Sequence, residues 1–260
     1  MKIGVCLKQV PATDSPIKVK DAVSGVDLAA VKMVINPYDE FALEEALKLK
    51  DAGIATQVIV YTVGPADADA RLKDAVARGA DILVRIDDPG LAAADSLGFA
   101  KALAAAAKAD GVGLILAGKQ AVDTDNAQVP AMIAELLGWA QATECDKLEV
   151  AGGGFKAWVA AGGGTRDVLQ GSLPAVISTD KGINSPRSPN IKGVMASKKA
   201  PVAVKDLAAL GLSAGDVAAK VSLKAWGAPP PRPAGRILQG APAQVAKELV
   251  GLLRSEAKVI

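Results

Sequence analysis

Short apolar runs alternate along most of the chain with longer stretches in which apolar residues recur every three or four positions. Ile3–Leu7, Val58–Thr62, Ile82–Ile86 and Val112–Ala117 are nearly continuous in apolar character. That pattern predicts strands covered on both faces of a sheet. Between them, Tyr38–Ala52, Asp67–Arg78, Leu91–Lys108 and Asn126–Leu137 carry helical periodicity, and three of them end at Gly53, Gly79 and Gly138. Strands that alternate with helices predict a parallel sheet joined by right-handed crossovers. The expected fold class is therefore α/β, a three-layer, mostly parallel sheet.

The rhythm changes after Gly138. Leu148–Val150, Phe155–Ala160 and Asp167–Leu169 read as short strands. The glycine triplets 152–154 and 162–164 supply the turns between them. Neither triplet follows a strand and opens a helix, so neither is a dinucleotide fingerprint. Ala175–Thr179, after Pro174, reads as one more buried strand. Ala228–Pro233 holds four prolines in six residues, which predicts an extended spacer. Ala243–Leu253 then forms a helix with Val245, Leu249 and Leu252 on one side. A short helix beyond a stiff spacer cannot bury that side alone. It must fold back on the domain or clasp another chain. The expected division is an α/β domain over 1–227 and a spacer-plus-helix arm over 228–260.

Composition narrows the chemistry. The 260 residues include no histidine, which removes the Ser-His-Asp triad, the Cys-His pair and the usual proton shuttle. The two cysteines, Cys6 and Cys145, are too few for a zinc or iron–sulfur centre and give no secreted disulfide pattern. A cytoplasmic location is the expectation. Met1–Val10 reads as a first strand and not as a signal peptide. Net charge is +2 with both signs interspersed and aromatic residues are scarce, so nucleic acid is not an expected partner. Leu97–Ala109 is the richest apolar stretch, but Lys101 and Lys108 interrupt it, so membrane insertion is not expected either.

In an open parallel sheet, ligands bind beyond the carboxyl ends of the strands. Strand one runs into Lys8, Gln9, Val10 and Pro11, and the strand ending at Thr62 into Val63, Gly64 and Pro65. After Ala117 comes the loop Gly118, Lys119, Gln120, Ala121, Val122, Asp123, Thr124, Asp125, Asn126, Ala127, Gln128, Val129. Gly118 permits backbone shapes that other residues resist. Asp125 or Asn126 is expected to cap the following helix, whose start would hold a phosphate through its free N–H groups. Lys119 would add charge there. Asp123 would face ribose hydroxyls or the loop's own backbone. An ordinary capped loop has the same composition, and the loop lacks the GxxxxGK[ST] pattern of a Walker site. Asn36-Pro37 reads equally as a helix start with a simple cap.

Taken together in order, several segments resemble the electron-transfer flavoprotein β subunit. They are Val5-Cys6-Leu7-Lys8-Gln9-Val10-Pro11; Ile35-Asn36-Pro37-Tyr38-Asp39-Glu40 with Ala42-Leu43-Glu44-Glu45-Ala46; Val63-Gly64-Pro65; and Arg78-Gly79-Ala80-Asp81. Gly118-Lys119-Gln120-Ala121-Val122-Asp123 is the most specific, and Leu173-Pro174-Ala175-Val176, Ile183-Asn184, Pro186-Arg187 and Lys198-Lys199 complete the series. The resemblance implies a sheet of the Rossmann-like, adenine-nucleotide-binding type, with 1–227 as the nucleotide-binding domain and 228–260 clasping the partner subunit. It implies the small subunit of a heterodimer whose α subunit holds most of a redox-active FAD. The small subunit would bury AMP or, in electron-bifurcating members, a second FAD. Cofactor contacts would map to Cys6, to Asn36, Pro37, Tyr38 and Asp39, to Val63, and to Gly118 through Val129. Flavoprotein dehydrogenases, such as acyl-CoA dehydrogenases, and a quinone oxidoreductase would be the redox partners. The matching dehydrogenase anchor is Ile191, on a loop where exposure is expected.

The chain departs from the family pattern in places. Gln128-Val129 is similar to bifurcating members, whereas Gly138-Trp139 through Thr143 is similar to non-bifurcating ones. Asp167 replaces a common glutamate or glutamine, and Thr13 stands where some members have tyrosine. The leading reading is an electron carrier and not an enzyme. A bifurcating subunit that oxidises NADH and a stand-alone adenine-nucleotide module are the alternatives.

Overall fold

The computed structural model describes residues 1–232 and 234–260. Pro233, the last residue of the expected proline-rich spacer, lies outside the described residues. In chain order the elements are β1 (Lys2–Cys6), β2 (Gln9–Pro11), β3 (Lys18–Asp21), β4 (Gly25–Asp27), β5 (Met33–Ile35), α1 (Pro37–Asp51), β6 (Gln57–Val63), α2 (Asp69–Arg78), β7 (Ile82–Ile86), α3 (Ser96–Ala109), β8 (Leu114–Gly118), α4 (Val129–Leu137), β9 (Ala140–Ala151), β10 (Gly154–Gly162), β11 (Thr165–Ser172), β12 (Ala175–Thr179), α5 (Ile191–Lys199), β13 (Val202–Lys205) and α6 (Pro242–Ser255).

Nine strands form one sheet in the order β11-β10-β9-β12-β8-β1-β6-β7-β13. From β13 to β9 every neighbouring pair is parallel, and β9-β10-β11 closes the far edge as an antiparallel meander. The period of two along each strand sends alternate side chains to opposite faces. Val58 and Val60 join Leu43, Leu47 and Leu72 in one apolar layer. Ile59 and Tyr61 join Ala100, Ala106 and Ile133 in the other. Helices α1 and α2 therefore cover one face, and α3 and α4 the other. This is the expected three-layer α/β fold.

Several boundaries differ from expectation, each for a local reason. Helix α3 starts at Ser96 and not at Leu91, because Pro89–Leu91 makes a 3-10 turn and Asp95 caps the helix. Its side chain accepts from Leu97 and Gly98 N–H at 3.1 Å each. Helix α4 starts at Val129 and not at Asn126. Asp125 and Ala127 sit at φ 50° and 51°, which a right-handed helix cannot accommodate. Gln128, with no side-chain cap bond, takes the cap position expected of Asp125 or Asn126. The three strands after Gly138 are longer than their apolar stretches, because cross-strand pairing carries polar residues along with it. Gly152, Gly153, Gly162, Gly163 and Gly164 have positive φ, as the hairpin reading requires, whereas Gly154 already opens β10.

The small strands β2 to β5, helix α5 and strand β13 had no clear apolar period. They form two ribbons and an edge that tertiary pairing specifies. Helix α6 forms as expected and none of its residues is buried. Arg236 pairs with Glu248 and Glu256 at 3.3 and 3.6 Å, which ties the spacer to its own helix. Among the described residues, no hydrogen bond or ion pair joins 228–260 to the preceding chain. No helix among the described residues is long and apolar enough to cross a membrane.

Candidate functional site

The strand order fixes where a ligand can enter. The chain moves from β1 outward to β6 and β7, then returns to β8 on the other side of β1. The crevice at such a reversal opens beyond the carboxyl ends of the two flanking strands. Here those ends are Cys6–Lys8 and Gly118.

Asp39 closes the floor of this crevice. It lies in the first turn of α1 and is only 6% exposed. Its carboxylate accepts from the Lys8 backbone N–H at 2.7 Å and from Gly118 N–H at 3.0 Å. One side chain thus ties together the two strand ends that frame the switch point. Burial pushes the Asp39 carboxyl up to about 7, against the opposing pull of those backbone donors and of Lys8. Gly118 has no room for anything larger. A Cβ there would lie 2.4 Å from Asp39 Oδ1 and 2.6 Å from Tyr38 backbone carbon. Thr179 Oγ1 lies 3.3 Å from the carbonyls of Tyr38 and Ala117, closing the same corner.

Asn36 fixes the next stretch of the loop. It is 1% exposed, and its side chain makes no cap bond to α1. Instead Nδ2 donates to the Gln120 carbonyl at 2.8 Å, and Oδ1 accepts from Val122 N–H at 3.1 Å. The simple-cap reading of Asn36-Pro37 is thereby replaced by a long-range tether.

Beyond Val122 the loop turns outward. Ala121 carbonyl accepts from Thr124 and Asp125 N–H, and Gln120 Nε2 donates to Asp125 Oδ1 at 2.8 Å. Residues 123–128 are exposed. Ala127 is left-handed and Gln128 right-handed, with φ −105° and ψ −37°. Alternation of this kind turns successive N–H groups toward one side and makes a concavity for an anion. A left-handed alanine costs on the order of 1–3 kcal/mol, so the surrounding fold holds it there against its preference. Among the described residues, Asn126 through Val129 have no backbone acceptor for their N–H groups. This donor set suits a phosphate, although no side-chain cap supports it.

The charged residues are placed differently from expectation. Lys119 Nζ pairs with Asp180 at 3.0 Å and lies 5.2 Å from the Tyr38 ring centre, toward β12. Asp123 meets Lys8 Nζ at 2.8 Å and not the loop backbone. Cys6 is buried at the end of β1, and burial pushes its thiol up to about 12, with Asp39 adding to the effect. That shift disfavours the thiolate a nucleophile needs. Val63 closes β6 two strands from Gly118 and is half-buried. Thr179 and Asp180 were missed by sequence reasoning, though Thr179 ends a parallel strand and the strand-end rule applies to it. Ile191 opens α5 and is 83% exposed; the loop expected there is a helix start capped by Asn190. It lies outside the crevice cluster. Among the described residues, no group of ligating side chains could hold a metal ion.

Comparison with known proteins agrees with this architecture. Residues 24–210 match the electron transfer flavoprotein domain. The whole chain is 41% identical to the electron transfer flavoprotein subunit beta of Bradyrhizobium diazoefficiens, covering all of both chains. It is 38% identical to the protein of the same name from Syntrophomonas wolfei, over all of this chain and 98% of that one. The Bacillus subtilis protein of that name is 36% identical over both full lengths. The chain belongs to the electron transfer flavoprotein β-subunit family.

Proposed function

We propose that this chain is the small partner in a heterodimeric electron carrier, where it buries an AMP and supports an FAD held mostly by the α subunit. The observation that carries the nucleotide reading is the loop 118–129 at the β1/β8 switch point. Its base is pinned by Asp39 and Asn36, and its rim presents N–H groups that have no backbone acceptor among the described residues. The phosphate would lie against the N–H groups of Asn126 through Val129, at the start of α4. Bound flavin supplies the electron-accepting and electron-donating chemistry, which a histidine-free chain does not. This chain's own residues shape the crevice, exclude water from its floor and orient the nucleotide.

Electrons would pass from flavoprotein dehydrogenases to a quinone oxidoreductase, with Ile191 engaging the dehydrogenase and the arm 228–260 engaging the α subunit. The uncovered α6 supports the arm's part in this reading. The test is to purify the native complex and count the nucleotides released on denaturation. One FAD and one AMP per heterodimer is the expected result. Two FADs would replace it with the bifurcating reading, and a colourless lone chain with the stand-alone module.

A further inference from the structure

The loop 118–129 carries two carboxylates, Asp123 and Asp125, beside the N–H groups that would hold a phosphate. Its own lysine, Lys119, is drawn away to Asp180. Gln120 Nε2 donates to Asp125 Oδ1, which leaves that carboxylate's charge in place. Asp123 is met from another strand end, where Lys8 Nζ lies 2.8 Å from its Oδ1. Among the described residues, Lys8 is the only cation paired with a carboxylate of this loop.

Both ends of the pair are held by one frame. Lys8 N–H donates to Asp39 Oδ2 at 2.7 Å, and the Lys8 carbonyl accepts from Asn36 N–H at 2.9 Å. The side chain of the same asparagine accepts from Val122 N–H, next to Asp123. Backbone bonds thus bring the ammonium and the carboxylate together across the β1/β8 switch point. Their side chains are 44% and 25% exposed, so a solute entering the crevice meets their charges. From Asp123 to Asn126, the first of the free N–H groups, three residues span at most about 11 Å. That is close to the Debye length of roughly 10 Å at 0.1 M salt. An unneutralised carboxylate at 123 therefore opposes a phosphate at 126–129.

We propose that Lys8 is a specificity-determining residue of the nucleotide crevice. By neutralising Asp123 it lets the loop accept a phosphorylated nucleoside, where it would otherwise favour the uncharged nucleoside. Lys8 acts on the phosphate through the field at Asp123, without contact to the ligand. The inference rests on the nucleotide reading given above and adds the group that decides between charged and uncharged ligands.

The test compares AMP with adenosine, by equilibrium dialysis on the full chain at low salt. Lys8→Met should lower AMP affinity about threefold or more and leave adenosine affinity unchanged. The loss should shrink in about 0.5 M salt, where charges at this separation are screened. Lys8→Arg should behave as wild type. Adding Asp123→Asn to Lys8→Met should restore AMP binding, because the pair is then removed as a whole. Melting temperatures should stay near wild type, since an exposed ion pair contributes little to stability. Equal losses of AMP and adenosine in Lys8→Met would overturn the assignment and leave Lys8 a clasp that shapes the loop. Failure of the double variant to recover AMP binding would overturn it as well. So would loss of both ligands in Asp123→Asn alone, which would put that carboxylate on the ribose. A wild-type chain that binds neither ligand would defeat the nucleotide reading and the inference with it.

Discussion

Asp39 Oδ1 accepts the backbone N–H of Gly118 at 3.0 Å, across the point where the strand order reverses. The contact exists only because residue 118 lacks a side chain. Gly118→Ala would force a methyl group to within 2.4 Å of that oxygen, with the Tyr38 backbone blocking retreat. Overpacking of this kind costs about 1–3 kcal/mol. A lower melting temperature and a lower nucleotide content per chain are expected together. Normal nucleotide content in this variant would show that the loop tolerates displacement of its base.

Asn36 gives a more selective perturbation. Asn36→Ala leaves the Gln120 carbonyl and the Val122 N–H without their partner, at a cost of about 1–3 kcal/mol. The strands and helices keep their packing, so the loss should fall on loop 118–129. Nucleotide affinity is expected to drop by about tenfold or more, with the visible flavin spectrum of the complex little changed. Equilibrium dialysis with labelled AMP measures the first and absorbance the second.

The Asp39 carboxyl has a folded value of about 7, above its ordinary 3.8, so the folded state holds a proton that the unfolded chain releases. Stability from this group is present below about pH 4 and is lost as pH rises to about 7, above which it is flat. The span corresponds to on the order of 4 kcal/mol. Other carboxylates titrate too, so the useful quantity is the difference between wild type and Asp39→Asn. Urea midpoints should favour wild type more at pH 5 than at pH 7.5. A difference independent of pH would place the Asp39 carboxyl in the normal range.

Much of the fold was legible because the central strands are buried on both faces. Runs such as Ile82–Ile86 or Ala175–Thr179 have no other stable place. The crevice was legible as strand ends: its frame at Cys6 and Gly118 follows from the alternation of strands and helices. What the sequence hid were long-range polar choices. Asn36 looks like a cap and acts as a tether 86 residues from Val122. Asp125 looks like a cap and adopts a left-handed conformation. Lys119 looks like a phosphate ligand and pairs with Asp180. In each case the local preference is worth about a kilocalorie, and the tertiary alternative outweighs it.

The arm offers a test of assembly. Helix α6 has no buried residue, and Leu249 and Val250 are each 46% exposed in the single chain. An amphipathic helix in that condition gains its stability from a partner surface. Truncation after Gly227 should weaken heterodimer formation by at least tenfold in sedimentation or titration experiments. The far-ultraviolet signal of the α/β domain should persist, since no hydrogen bond or ion pair among the described residues links it to 228–260. Assembly at wild-type affinity would remove the arm from the interface.

Ile191 stands on a rigid base while its own side chain faces solvent. Asn190 caps α5 by accepting from Gly193 N–H at 2.7 Å. A Cβ on Gly193 would lie 2.1 Å from the Ala77 carbonyl, so α5 is pressed directly onto α2. Nearby, Arg187 grips Glu44 through two nitrogens at 2.8 and 3.0 Å. The 83% exposed isoleucine is therefore presented and not packed. If it fills an apolar pocket on a dehydrogenase, burying it contributes roughly 1.5–3 kcal/mol. Ile191→Ala should then slow electron transfer from that dehydrogenase by about tenfold or more at low protein concentration. Flavin content and melting temperature should stay near wild type, because an exposed side chain supports little of the core. Gly193→Ala provides the contrast: it should lift α5 from α2, lowering the melting temperature as well as the transfer rate. Normal transfer kinetics in Ile191→Ala, with or without a loss of stability, would remove Ile191 from the docking surface.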